Sequence, residues 1–128
     1  MIVVDSSVWI DFFRGDASPE VDRLDELLET SEIIVGDLIL TEVLQGFRRN
    51  ADYAVAKQLL TDFSVVSMVG ADQAILSADI YRELRKSGVT PRKTIDVWIA
   101  AFCIKWQIPL LYSDRGFDSM QSFGLIVA

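Results

Sequence analysis

The chain predicts an α/β fold in three layers, with a parallel sheet of about five short strands between helices. Three observations lead there. Short, wholly apolar runs recur at Ile2–Val4, Ile33–Val35 and Leu110–Tyr112. Amphipathic stretches of helical period separate the runs. Strands with no polar alternation, spaced by helices, belong to a sheet covered on both faces. The 128 residues show no linker, repeat or low-complexity tract, so they are expected to form a single domain, residues 1–128.

Taken in order, Ile2–Val4 is the first strand and a helix runs from about Ser7 to Arg14, stopped by Gly15. Ser18 is placed to cap a second helix from Pro19 to Glu29, with Val21, Leu24, Leu27 and Leu28 on its apolar face. After the strand Ile33–Val35, Asp37 is expected to cap a helix reaching Arg49. Helices over 51–61 and 71–86 flank a strand over 64–68. Thr90-Pro91 marks a turn. Thr94 is expected to cap a helix from Ile95 to Trp106, Pro109 introduces the strand Leu110–Tyr112, and Leu125–Val127 is the last strand.

Composition narrows the chemistry. Apolar residues make up 51% and charged residues 24%, ordinary for a globular protein and against general disorder. There is no histidine, which excludes Ser-His-Asp triads and imidazole metal sites. The lone Cys103 excludes an internal disulfide and cysteine-rich zinc sites. No apolar run approaches the ~20 residues of a membrane span, and Met1–Asp5 does not read as a signal peptide. A reducing cytoplasm is the expected compartment. The net charge of −7 argues against nucleic-acid binding by bulk charge. Its distribution is uneven: seven acids and one base lie between Asp16 and Glu32, five bases and one acid between Arg82 and Lys93.

Carboxylates are therefore the catalytic groups in supply. In parallel α/β sheets, sites form beyond the carboxyl ends of the strands. Asp5 follows the first strand directly, and Asp114 lies two residues beyond Tyr112. Each taken alone reads first as an ordinary helix cap or turn former. Glu42 stands in the apolar run Leu38–Leu44, where it is either buried at a cost or turned to a solvent stripe with Gln45 and Arg49. Asp96 opens the apolar helix 95–106, either stabilising its first turn or serving a site. Four acids gathered together repel, and a divalent cation relieves that. Oxygen-only ligands select Mg²⁺ or Mn²⁺.

These residues resemble the PIN-domain family, and within it the VapC-type toxins of prokaryotic toxin–antitoxin modules. Val3-Val4-Asp5-Ser6-Ser7 is similar to the family's first motif, Leu40-Thr41-Glu42-Val43 to its helical Glu, Asp96–Ala101 to its third motif and Leu111–Phe117 to its fourth. The likeness spans the whole chain, in order. It implies a metal-dependent endoribonuclease, a homodimer, and a cognate antitoxin that blocks the site. By this resemblance Asp5, Glu42, Asp96 and Asp114 would hold one or two Mg²⁺ (or Mn²⁺) ions, with Ser7 and Ser113 orienting carboxylates or waters. A metal-activated water would attack RNA phosphorus in line and leave a 5′ phosphate and a 3′ hydroxyl. The chain departs from the family at Gly116, where members often carry a further acid; Asp118 could stand in for it.

Arg92, Lys93 and Arg115 are candidates for RNA phosphate contacts or are solvated surface charge, as are Arg48 and Arg49. Trp9, Trp98 and Trp106 lie in apolar helices and are expected in the core or a dimer contact rather than stacked on bases. Cys103 is expected to be an inert small hydrophobe. The acidic segment Asp16–Glu32, through Asp22, Asp25 and Glu26, could attract a basic antitoxin peptide. Two rivals are weighed. A phosphatase wants a second Asp where Ser7 stands, and a receiver domain wants an acid pair and a late Lys that are absent. A non-catalytic PIN-like binding module would share the fold.

Overall fold

The computed structural model describes residues 1–30 and 32–128. Four strands form one parallel sheet in the order β3-β2-β1-β4: β1 (Ile2–Val4), β2 (Ile33–Gly36), β3 (Ser64–Val66) and β4 (Leu110–Leu111). β1 pairs with β2 through Ile2–Ile33 and Val3–Ile34, and with β4 through Val3–Leu110 and Val4–Leu111. β3 pairs with β2 alone and is the exposed edge. Every residue of β1, β2 and β4 is buried, so these strands are covered on both faces.

The helices are α1 (Ser6–Arg14), α2 (Pro19–Thr30), α3 (Asp37–Leu44), α4 (Asn50–Thr61), α5 (Ala71–Lys86) and α6 (Thr94–Trp106). α1 packs on α2 and α3, and α6 packs on α5 and α3. Gly15 ends α1 at φ 76°, a left-handed turn that glycine adopts without steric cost. Ser18 Oγ accepts from Val21 N at 3.0 Å, the cap its position predicts. α6 buries seven of its thirteen residues, among them Val97, Ile99 and the small pair Ala100-Ala101, and is a core helix rather than a surface one.

Differences from expectation have local causes. Among the described residues the sheet has four strands, not five: 125–128 reach β4 only by an isolated bridge, Leu110–Val127. The preceding residues Arg115–Phe123 are wound into a 3-10 helix that leaves little chain to pair. Its Phe117, Met120 and Phe123 recur every third residue, the period of that helix, and the first two are fully buried. α3 stops at Leu44 instead of Arg49, because Gly46 and Phe47 tighten the end with bonds to Val43 O and Leu44 O. The caps of α3 and α6 are Gly36 and Lys93, one residue ahead of the expected Asp37 and Thr94. Asp37 instead accepts from Leu38 N at 2.8 Å and from Met68 N at 2.9 Å, tying α3 to the chain beyond β3.

Candidate active site

The strand order sets the site. The chain runs outward from β1 through β2 to β3, then crosses back to place β4 on the other side of β1. β1 and β4 therefore straddle the point where strand order reverses, and a crevice opens beyond their carboxyl ends. Asp5 and Asp114 follow those two strands. Asp96 enters from the first turn of α6 and Glu42 from α3. All four line one cleft of about 410 Å³, together with Ser6, Ser7, Ser113, Asp11 and Lys93.

Asp5 is the best-held member. It is 2% exposed. Its Oδ2 accepts from Ser7 Oγ at 2.6 Å and from Ser7 N at 3.1 Å, so it also caps α1. Ser113 N donates to Ser7 Oγ at 3.3 Å, which links the chain after β4 to the same carboxylate. Its Oδ1 is buried with no hydrogen-bond partner. Glu42 turns to the cleft, not to solvent: Ser6 Oγ donates to its Oε1 at 3.1 Å. Asp114 Oδ1 accepts from Gly116 N at 2.9 Å and caps the 3-10 helix, while Oδ2 stands 3.7 Å from Lys93 Nζ. Asp5 and Asp114 thus each cap an element and line the cleft at once.

The electrostatics follow from this crowding. Burial pushes the Asp5 carboxyl above its usual range, and Asp114 adds to the rise. Burial likewise raises Glu42, with Asp5 and Asp114 adding to it; the Ser6 bond and Lys93 oppose the rise. Asp96 is raised to about 7, by burial first and then by Asp5, Asp114 and Glu42. Negative charge is costly in this cleft, which fits a site built to receive a cation. Among the described residues no group of three Asp, Glu, His or Cys side chains stands in position to enclose a metal ion. The donor set still fits Mg²⁺ or Mn²⁺: it is all oxygen, and the unpartnered Asp5 Oδ1 lacks a positive partner. Mg²⁺ in particular takes one or two carboxylates and keeps its waters, so it needs no closed cage.

Sequence reasoning missed Ser6 and Asp11. Ser6 touches Glu42, and Asp11 lines the cleft from α1, four residues after Ser7 and so one turn along the same face. The seryl contribution of Ser113 is its backbone N–H. Asp118 lies outside the acidic cleft. Its Oδ1 accepts from Tyr112 OH at 2.8 Å and sits 3.7 Å from Arg115.

Beside the cleft lies a second groove, about 670 Å³, lined by Arg92, Lys93, Arg115, Asp118 and Ser119 and sharing Asp96 and Asp114 with the cleft. Arg115 also reaches Glu20 of α2 at 4.0 Å. Arg48 and Arg49 are exposed away from the cleft, the latter 3.8 Å from Asp52. Trp9 is fully buried among Phe12, Phe13 and Phe63. Trp98 is half-buried; Trp106 is 57% exposed under Lys105, so core packing fails for it. Burial holds the Cys103 thiol up to about 12, and it stays protonated. No helix among the described residues is long and apolar enough to cross a membrane.

A short parallel sheet whose carboxyl edge gathers acids from four separate elements defines the PIN-like class of α/β proteins. The PIN domain model matches residues 2–122, and the chain belongs to the PIN-domain family. Ribonuclease VapC11 from Mycobacterium tuberculosis is 28% identical over 120 residues, covering 92% of this chain and 90% of that protein. A VapC ribonuclease from Mycobacterium bovis matches with the same figures. Among solved structures, VapBC2 from Rickettsia felis, bound to a DNA fragment from its promoter, is similar with a TM-score of 0.77 at 15% identity, covering 100% of this chain and 98% of that one. VapC20 from Mycobacterium tuberculosis, described as a sarcin–ricin loop cleaving toxin, gives 0.68 at 16% identity, covering 100% and 98%. At such identities the structures speak for the fold.

Proposed function

We propose that the chain is a divalent-metal-dependent endoribonuclease of the VapC type, the toxin of a toxin–antitoxin pair. The single observation that carries this reading is the buried, unpartnered Asp5 Oδ1 in a cleft shared with Glu42, Asp96 and Asp114. Burial, with neighbouring acids adding to it, raises Asp5, Glu42 and Asp96 above the usual carboxylate range, a cost that helix capping alone does not call for, and the curated relatives are named ribonucleases. Asp5, Glu42, Asp96 and Asp114 would hold Mg²⁺ or Mn²⁺. A bound cation of this kind supplies Lewis acidity that activates water and offsets charge on a phosphodiester.

The protein's own groups do the rest. Ser7 fixes the orientation of the Asp5 carboxylate, and Ser6 that of Glu42. With no histidine to activate an RNA 2′-hydroxyl, a water nucleophile is the consistent choice. The groove beside the cleft, with Arg92, Lys93 and Arg115 on its walls, is the path for the RNA backbone. A cognate antitoxin covering the cleft, a homodimer and a cytoplasmic location complete the reading; neighbouring structures described as toxin–antitoxin systems support the first of these.

The test is cleavage of mixed cellular RNA by the purified chain with Mg²⁺ or Mn²⁺, with EDTA and Asp5→Asn as controls and the ends mapped. Discrete cuts with 5′ phosphates, lost in both controls, are expected. Cleavage that survives EDTA overturns the metal-dependent reading. A folded protein that neither cuts RNA nor binds metal is a non-catalytic module.

A further inference from the structure

Lys93 is the one base among the described residues that line the acidic cleft; Asp5, Asp11, Glu42, Asp96 and Asp114 line it too. It is also the N-cap of α6, three residues before Asp96, and its ammonium stands 3.7 Å from Asp114 Oδ2. It lines the adjoining groove as well, alongside Arg92 and Arg115. Its side chain is 57% exposed, on a flexible four-carbon stem with no second ion pair among the described residues. A charge so placed can face either way, toward the acids or toward the groove.

We infer that Lys93 is an internal counter-cation of the acidic cleft that yields Asp114 when a divalent ion enters and then contacts the RNA phosphate in the groove. This rests on the metal-dependent reading above and adds a residue the acid constellation does not contain. The physical case is competition. Lys93 offsets part of the repulsion among the acids while no metal is bound, as its opposing effect on Glu42 and Asp96 illustrates. A divalent ion carries twice the charge on a smaller centre, so Asp114 favours the ion and the ammonium is repelled toward the groove. There a backbone phosphate is the available anion. Lys93 is a positioning residue for the substrate in this scheme: it carries no bond-making role and exchanges no proton. Arg115 is less suited to the same exchange, since Glu20 at 4.0 Å and Asp118 at 3.7 Å both engage it.

The experiment is a Mn²⁺ titration of the full chain, wild type against Lys93→Met and Lys93→Arg, read by electron paramagnetic resonance. Its companion is binding of single-stranded RNA in Ca²⁺ at several salt concentrations. Lys93→Met is expected to bind Mn²⁺ about two- to fivefold more tightly, the scale of an exposed ion pair. It should bind RNA more weakly, with a salt slope lower by about one, while Lys93→Arg behaves as wild type in both. Tighter Mn²⁺ binding with unchanged RNA binding overturns the phosphate half of the inference. Unchanged or weaker Mn²⁺ binding by Lys93→Met, in a wild type that binds the ion, overturns the counter-cation role and leaves the metal site standing. Failure of wild type and variant alike to bind Mn²⁺ brings down the metal-site reading and this inference together.

Discussion

The two ends of α1 obey opposite rules. Toward its middle and C-terminal end, Trp9 stacks on Phe13 at 6.0 Å and meets Phe12 edge-on at 5.9 Å, and Phe13 packs on Phe47 at 5.5 Å. Burial there stabilises the fold by removing apolar surface from water. At its N-terminal end, burial encloses Asp5 and Ser6 and leaves a carboxylate oxygen without a partner. Packing explains the aromatic region, although Trp9 Nε1 is itself buried without a partner; at the N-terminal end Asp5 caps the helix through Oδ2 and leaves Oδ1 unpaired. The difference teaches how to tell the two apart: residues whose burial costs free energy are those that the fold alone does not explain.

Substitutions at the two ends should separate. The largest expected effect is Trp9→Ala, which opens a cavity under α1 and costs about 3–5 kcal/mol in denaturant unfolding. If RNA cleavage by the surviving folded fraction changes more than stability does, the division of α1 into two roles breaks. Next comes Ser7→Ala, which removes the 2.6 Å bond orienting Asp5. It should weaken Mn²⁺ binding by about 10- to 100-fold with little loss of stability, measured by calorimetric titration and melting in parallel.

The pH dependence sharpens the same contrast. Burial, with Asp5, Asp114 and Glu42 adding to it, raises Asp96 from 3.8 to about 7 in the folded state. The folded state therefore holds more protons than the unfolded state between those values, and metal-free stability falls as pH rises from about 4 through about 7, then levels. Because the cleft opens to solvent, we expect about 1–2 kcal/mol over that window rather than the full linkage value. Asp96→Asn should flatten the curve, while Mn²⁺ affinity of the wild type climbs over the same range. A wild-type curve that rises with pH contradicts the burial of Asp96. The smallest effect is Tyr112→Phe, which frees Asp118 and Gln121 from the phenol and should cost about 1 kcal/mol without altering metal binding.

Local sequence was a good guide where an element's residues agree with one another. Ile2–Val4 and Ile33–Val35 can bury only as central strands, and Pro19 with Ser18 can begin only a helix. It guided poorly over 115–123, where a three-residue period carried by Phe117, Met120 and Phe123 is too short and too broken by polar residues to stand out from a loop. That misreading left a fifth strand where the chain makes a single bridge. The four acids were legible as candidates because each interrupts an apolar run or follows a strand. Ser6 and Asp11 were not, since a polar residue on an amphipathic helix is ordinary until something is known to face it.

By itself the sequence determined the α/β class, the apolar runs that become the sheet's interior, and the lack of any imidazole for catalysis or ligation. Only the tertiary structure decided that β4 sits beside β1, that Glu42 turns to the cleft instead of solvent, and that Asp118 turns away from it to Tyr112. The physical reason is range. Hydrophobic period and turn chemistry act over a few residues and are written in them. Convergence of Asp5, Glu42, Asp96 and Asp114 depends on strand order and helix packing, which bring together groups up to 109 positions apart that no local pattern relates.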